Sequence, residues 1–209
     1  MDEVSMDKLV KTGTTTIGLT CKGGILLASE SKASMGYMVV NKDVQKVFKI
    51  DNKIGITIAG MVSDAQQLIN ILKAEISLYK LQTGEEMSIS AVANLLSNVM
   101  YARRFYPYYT QIIIGGVDST GPHIYSFDPT GSCVKENYVS TGSGSPFVYG
   151  ILEKDYKDNM TLEEGKKLIK SAIRSAAQRD MASGGEKIWI AEITDKGFNL
   201  NEDKLNKLK

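Results

Sequence analysis

Histidine is nearly absent from this chain: His123 stands alone in 209 residues, beside two cysteines, four prolines and one tryptophan. A Ser-His-Asp or Cys-His site needs an imidazole next to its nucleophile, so most hydrolytic templates are excluded. His123 follows Pro122 at an expected strand start and reads as an ordinary half-exposed strand residue. One histidine and two cysteines also give no zinc-ligand spacing, and neither a metal nor a cofactor is expected. Cys21 and Cys133 lie far apart in apolar runs, where a free cysteine acts as a small hydrophobe, which disfavours a disulfide.

Excess charge is missing as well. The 25 lysines and arginines nearly cancel the 24 aspartates and glutamates, leaving +1 and no basic stripe to track a phosphate backbone, so nucleic acid is not an expected partner. Long apolar runs are absent, and residues 1–13 lack the apolar core of about 7 to 15 residues that a secretion signal requires. With 43% apolar and 23% charged residues, the composition is that of a soluble globular protein, expected in the cytoplasm and away from membranes. Ser140-Thr141-Gly142-Ser143-Gly144-Ser145 lacks the Gly-Lys-Ser/Thr ending of a phosphate-binding loop and reads as a tight loop.

Periodicity supplies the fold class. Thr16 to Cys21 alternate with period 2, Lys22-Gly23-Gly24 reads as a hairpin turn, and Ile25 to Ala28 is an apolar run suited to a strand covered on both faces. Val47–Ile50 and Ile54–Ala59 form the next strand pair. Apolar residues from Ala65 to Tyr79 then recur at three and four, a helical stripe, and a second helix starts at the cap Ser88. Strands follow near Tyr109–Val117, His123–Asp128 and Ser132–Val134, then helices over Pro146–Tyr156 and after the capping box that opens at Thr161. Lys187–Ile193 and a short stretch near Phe198 close the sheet, with residues 201–209 expected as a charged tail. This α+β order predicts one domain, a four-layer αββα sandwich of two antiparallel sheets flanked by helix pairs.

One hydrolase route needs no imidazole: a threonine whose own α-amino group accepts the hydroxyl proton. Gly13-Thr14-Thr15-Thr16 places such a residue at the start of the first strand, although threonine triplets there commonly mean only β propensity.

Further segments in order carry more weight: Thr14–Leu19, Ala28-Ser29-Glu30-Ser31-Lys32, Lys46 before an apolar strand, Ala59-Gly60-Met61-Val62-Ser63-Asp64-Ala65, Tyr138–Pro146, and Arg179-Asp180-Met181-Ala182-Ser183-Gly184-Gly185. From Thr14 to about Ile193 the chain resembles the archaeal-type proteasome β subunits, N-terminal-nucleophile threonine proteases. The resemblance implies that residues 1–13 are a leader removed by self-cleavage at Gly13-Thr14, leaving residues 14–209 as the catalytic domain. It implies Thr14 as nucleophile with its own amine as proton acceptor by way of a water molecule, Lys46 as a cation beside it, Glu30 as the partner of that cation, and Gly60 N–H as oxyanion donor. Asp180, Ser143 and Ser183 would hold the amine and water. Two positions depart from the archaeal pattern: Met181 stands where serine is usual, which adds bulk near Asp180, and Ser34 where a substrate-binding threonine is usual, its contact to substrate being chiefly backbone strand addition.

Elementary electrostatics supports this set. An α-amine with an unperturbed pKa of about 7.7 to 8.0 is mostly protonated at neutral pH, and a cation about 4 Å away opposes that protonation by up to roughly 4 kcal/mol at an effective dielectric of 20. A buried lysine stays charged only with a carboxylate partner, although Glu30 and Lys46 read alone would be a structural ion pair. By the resemblance, Ala33, Ser34, Val44, Phe48, Ile58 and Val62 receive the substrate, with the apolar five forming a pocket that favours cleavage after large apolar residues. Val44 and Phe48 share a strand face with each other if the strand reaches back to Val44. Expected partners are copies of itself in a seven-membered β ring, proteasome α subunits, an unfolding ATPase and unfolded polypeptide. A silent ring subunit of this fold, or a free-standing amidase of the same class, are the competing readings; the first should lack at least one of Gly13-Thr14, Glu30, Lys46 and Asp180.

Overall fold

The computed structural model describes residues 13–205, so most of the expected leader and the last four residues lie outside the described part. Among the described residues, twelve strands and four helices follow the order expected from periodicity, with three strands newly placed and the last one longer.

The first sheet is antiparallel throughout, in the order β10 (Tyr138–Thr141), β1 (Thr16–Cys21), β2 (Gly24–Glu30), β11 (Lys187–Thr194) and β12 (Gly197–Lys204). The second runs β5 (Val47–Asp51), β6 (Ile54–Gly60), β7 (Thr110–Asp118), β8 (Gly121–Phe127) and β9 (Cys133–Glu136), also antiparallel. A separate hairpin pairs β3 (Ala33–Met35) with β4 (Met38–Asn41).

Strand β2 shows why its sequence is a continuous apolar run. Ile25 and Leu27 join a cluster with Val47, Ile113 and Ile124 of the second sheet, while Leu26 and Ala28 on the opposite face pack with helices α3 (Ser145–Asp155) and α4 (Leu162–Arg179). Helices α1 (Val62–Thr83) and α2 (Ile89–Ala102) cover the second sheet through Leu68, Leu72 and Leu96 against Ile56, Ile112 and Ile114. Fully burying each of these side chains contributes roughly 1.5 to 3 kcal/mol. Caps set the helix starts: the Ser88 side chain accepts from Ala91 N–H, and Thr161 with Glu164 forms the reciprocal capping box. No helix among the described residues is long and apolar enough to cross a membrane.

Three readings of the sequence change. Residues 201–204 are not tail but the second half of β12, paired with β11 from Lys187↔Lys204 onward. Their charge is compatible with an edge strand because Glu202 pairs with Lys187 at 2.9 Å and Asp203 with Lys170 at 2.6 Å. Tyr138–Thr141, in part read as loop, is the edge strand beside β1. Finally, β5 begins at Val47, so Val44 lies outside the strand that holds Phe48, and alternation does not relate them.

Candidate active site

The candidate residues lie at or next to element ends. Thr14 stands two residues before β1, Glu30 ends β2, Lys46 precedes β5, Gly60 ends β6, Ser143 lies between β10 and α3, and Asp180 caps the C-terminus of α4, with Ser183 three residues on. Strand ends are where backbone groups leave the ladder and side chains can converge without disturbing the core.

Glu30 organises the centre. Its carboxylate is fully buried and accepts from Lys46 Nζ, from Lys32 N–H at 2.7 Å, from Gly184 N–H at 3.0 Å and from Thr15 N–H at 3.3 Å. Lys46, only 6% exposed, also donates to Lys32 O at 2.6 Å and to Thr14 Oγ1 at 3.1 Å. Burial pushes the Glu30 carboxyl up and pulls the Lys46 ammonium down from their ordinary values, and their mutual attraction opposes both shifts. Lys32 nearby adds to the lowering of Lys46. A lysine held in this way is a cation with a reduced hold on its proton, placed against a hydroxyl oxygen.

On the other side of Thr14 lies a chain of hydroxyls. Ser143 Oγ and Ser183 Oγ both donate to Asp180 Oδ2, at 2.6 and 2.5 Å. Each serine proton being committed there, Ser143 Oγ accepts the Thr14 N–H at 3.3 Å, and Ser183 Oγ accepts from Thr15 Oγ1 at 2.6 Å. The Thr14 hydroxyl itself donates to Gly13 O at 2.7 Å. Its oxygen therefore rests against the carbonyl group of the bond that joins residue 13 to residue 14.

Gly60 is held in a left-handed conformation, φ 125°, where an added Cβ would come within 2.3 Å of Tyr109 O. Along β6, Met61 N–H points to Tyr109 O on the β7 side and Ile58 N–H to Lys46 O on the other. Strand alternation puts Gly60 N–H on the Lys46 side, facing the recess next to Thr14. That recess, about 420 Å³ of space counting its open mouth, is lined by Gly13, Thr14, Ala33, Ser34, Val44, Gln45, Lys46, Ile58, Gly60 and Val62. Phe48 is not in that lining; it packs instead with the α1 and α2 cluster, since its strand face turns toward the helices. Ser34 is buried, and its Oγ accepts Gly13 N–H at 3.3 Å. Met181 is 65% exposed, so its bulk points outward rather than onto Asp180.

Several contributors carried no local signal. Thr15 and Lys32 stand within the motifs but owe their places to partners more than 140 residues away, since Lys32 Nζ donates to Met181 O at 2.5 Å and Ser183 O at 3.2 Å. Gly142, with φ 91°, sits so close that a Cβ would be 2.1 Å from Thr14 O. Gln45 adds the one uncharged amide to the recess wall.

A family model described as Proteasome subunit matches residues 10–193. The chain belongs to the proteasome subunit family. A Proteasome subunit beta of Methanosphaera stadtmanae is 53% identical over 188 residues, 90% of each chain. That of Haloferax volcanii is 50% identical over 93% of this chain and 79% of its own, and that of Thermoplasma acidophilum 48% identical over 91% and 90%. The matched region contains every residue placed around Thr14 above.

Proposed function

We propose that the chain is a catalytic β subunit of a proteasome core particle, a threonine endopeptidase that uses Thr14 as its N-terminal nucleophile once residues 1–13 are removed. The observation that carries the reading is the meeting of Lys46 Nζ and Thr14 Oγ1 at 3.1 Å, with Gly13 O against the same hydroxyl at 2.7 Å. Removal of the leader is self-cleavage: the hydroxyl attacks the Gly13 carbonyl, the peptide nitrogen leaves as the new amine, and water hydrolyses the ester. In the mature enzyme that amine, its proton affinity lowered by Lys46, takes the hydroxyl proton as Oγ attacks a substrate carbonyl. Gly60 N–H stabilises the oxyanion, a kind of contribution commonly worth a hundredfold or more, about 10² to 10³ in rate. Ser143, Asp180 and Ser183 hold the amine, which returns the proton to the leaving nitrogen.

The apolar wall of Ala33, Val44, Ile58 and Val62 supports cleavage after large apolar residues, because admitting an unpartnered charge there is opposed by desolvation. The three apolar clusters support a four-layer αββα arrangement of the N-terminal-nucleophile class, residues 14–209 forming one catalytic domain. Working partners on this reading are six further copies in a β ring, α subunits, and an unfolding ATPase in the cytoplasm that feeds unfolded polypeptide.

Thr14→Ala tests the core of the proposal. Residues 1–13 should stay attached and peptidase activity should vanish together, read by intact mass and by hydrolysis of short fluorogenic peptides. A mature N-terminus on that variant, in a host without another protease of this type, would refute it.

A further inference from the structure

A second opening lies beside the first and shares Gly60 with it. About 750 Å³ of open space runs from Gly60 and Thr110 past Gln111 to Pro129, Gly142 and Ser143. No residue lining it carries a formal charge. The uncut chain shows which end of a substrate belongs there. Gly13, on the acyl side of the bond before Thr14, lines the apolar recess, whereas the nitrogen of that bond faces Ser143, on the side of the second opening. A nitrogen that leaves must also receive its proton from the amine held by Ser143, so the part of a substrate after the cut bond extends along this cleft.

Gln111 is the side chain equipped to read it. It is exposed, at the second position of β7, and its Oε1 accepts Gly142 N–H at 3.0 Å. Because Gly142 is the donor, the oxygen end of the amide is fixed, and the NH2 end is the free one; among the described residues it has no partner. Gly142 in turn lies against Thr14 O, so the Gln111 amide is held at a set distance from the nucleophile rather than swinging in solvent.

We propose that Gln111 is a specificity-determining residue for the position directly after the scissile bond, its NH2 donating to an oxygen-bearing side chain such as Ser, Asn, Asp or Glu and meeting a Lys ammonium donor to donor. The proposal rests on Thr14 being the nucleophile. Its test uses particles assembled from the full chain and internally quenched peptides that differ only at that position, with the cut site verified by mass. The readout is the ratio of kcat/KM for Glu to that for Lys within each enzyme, which cancels any change in overall rate.

The parent should favour Glu. Gln111→Glu keeps the acceptor for Gly142 N–H but replaces the donor with an anion, and should move the ratio toward Lys by at least about fivefold, the effect of one charge at contact distance in water. Pro129→Glu, across the cleft and away from Gly142, should move it in the same direction. An unchanged ratio in Gln111→Glu would overturn the assignment. A shift from Pro129→Glu alone would place the substrate in the cleft but out of reach of Gln111, which also overturns it. If Gln111→Glu does not assemble, Gln111→Met decides instead: loss of the parent's preference for Glu supports the proposal, and its retention overturns it. A parent particle that cleaves none of the peptides would remove the nucleophile reading itself.

Discussion

Replacing Glu30 by Gln changes one oxygen to an NH2 and should be among the most damaging isosteric substitutions in the chain. The carboxylate takes four donors, Lys46 Nζ and the N–H groups of Thr15, Lys32 and Gly184. An amide has one acceptor oxygen, so at least one donor pair would face the NH2 group. Lys46 would keep Lys32 O and Thr14 Oγ1 as acceptors but lose the one anion it contacts among the described residues. Breaking a buried ion pair from one side destabilises by about 3 to 5 kcal/mol. For a domain of this size each kcal/mol corresponds to roughly 2 to 4 °C, so the melting midpoint should fall by about 6 to 20 °C. The assay is urea and thermal unfolding of the unassembled subunit, followed by circular dichroism at pH 7.5, beside intact mass to score the Gly13-Thr14 bond. Removal of the leader should be slowed as well, since an unpaired buried lysine sheds its proton and no longer stabilises negative charge on Thr14 Oγ1. A Glu30→Gln subunit within about 1 kcal/mol of the parent, cleaving its leader at the parent rate, would refute the view that this carboxylate holds the site together.

Lys46→Ala should reduce peptide hydrolysis by about 10² or more in assembled, processed particles, and Lys46→Arg should restore little, because a planar guanidinium cannot reach Thr14 Oγ1, Glu30 and Lys32 O as a compact ammonium does; parent-level rates from the alanine variant would exclude a catalytic role. Gly13→Ala should block or strongly delay leader removal, since an added Cβ would lie 1.7 Å from Ala182 Cβ and push residue 13 out of place. Time-resolved intact mass after refolding would show it, and parent-like cleavage would mean that the carbonyl does not need this approach.

Much of this arrangement was legible because each element carried its own local signal. The buried run at β2, the stripe of α1 and the capping box at Thr161 all depend on neighbours within a few residues, and all appear in place. The hairpin β3–β4 was not legible: Met35, Tyr37, Met38, Val39 and Val40 are all exposed, so neither face imposes a period. Glycines and serines after Val139 hid β10, whose partner β1 lies more than a hundred residues earlier. The ionisable members of the site were readable as residue types in order. Their geometry was not, since Glu30, Lys32 and Ser183 owe their positions to contacts between the two ends of the sequence. The shared face of Val44 and Phe48 depended on the strand reaching back to Val44, and β5 starts only at Val47.

The order of the first sheet also governs when the chain can become chemically competent during synthesis. Strand β2, which bears Glu30, pairs with β11, and β11 pairs with β12, so its neighbour on that side consists of residues 187–194. The Gly184 N–H that Glu30 accepts, and the Asp180 carboxylate behind Ser143, belong to the same late segment. A nascent chain carries Thr14 from the outset, yet nearly nine-tenths of the sequence must leave the ribosome before the groups around that threonine exist. Contacts of such long sequence separation form slowly and late. With Thr14 as the proposed nucleophile, the topology would act as a clock, keeping that residue idle through translation and allowing its chemistry only in a chain whose last strands have closed the sheet.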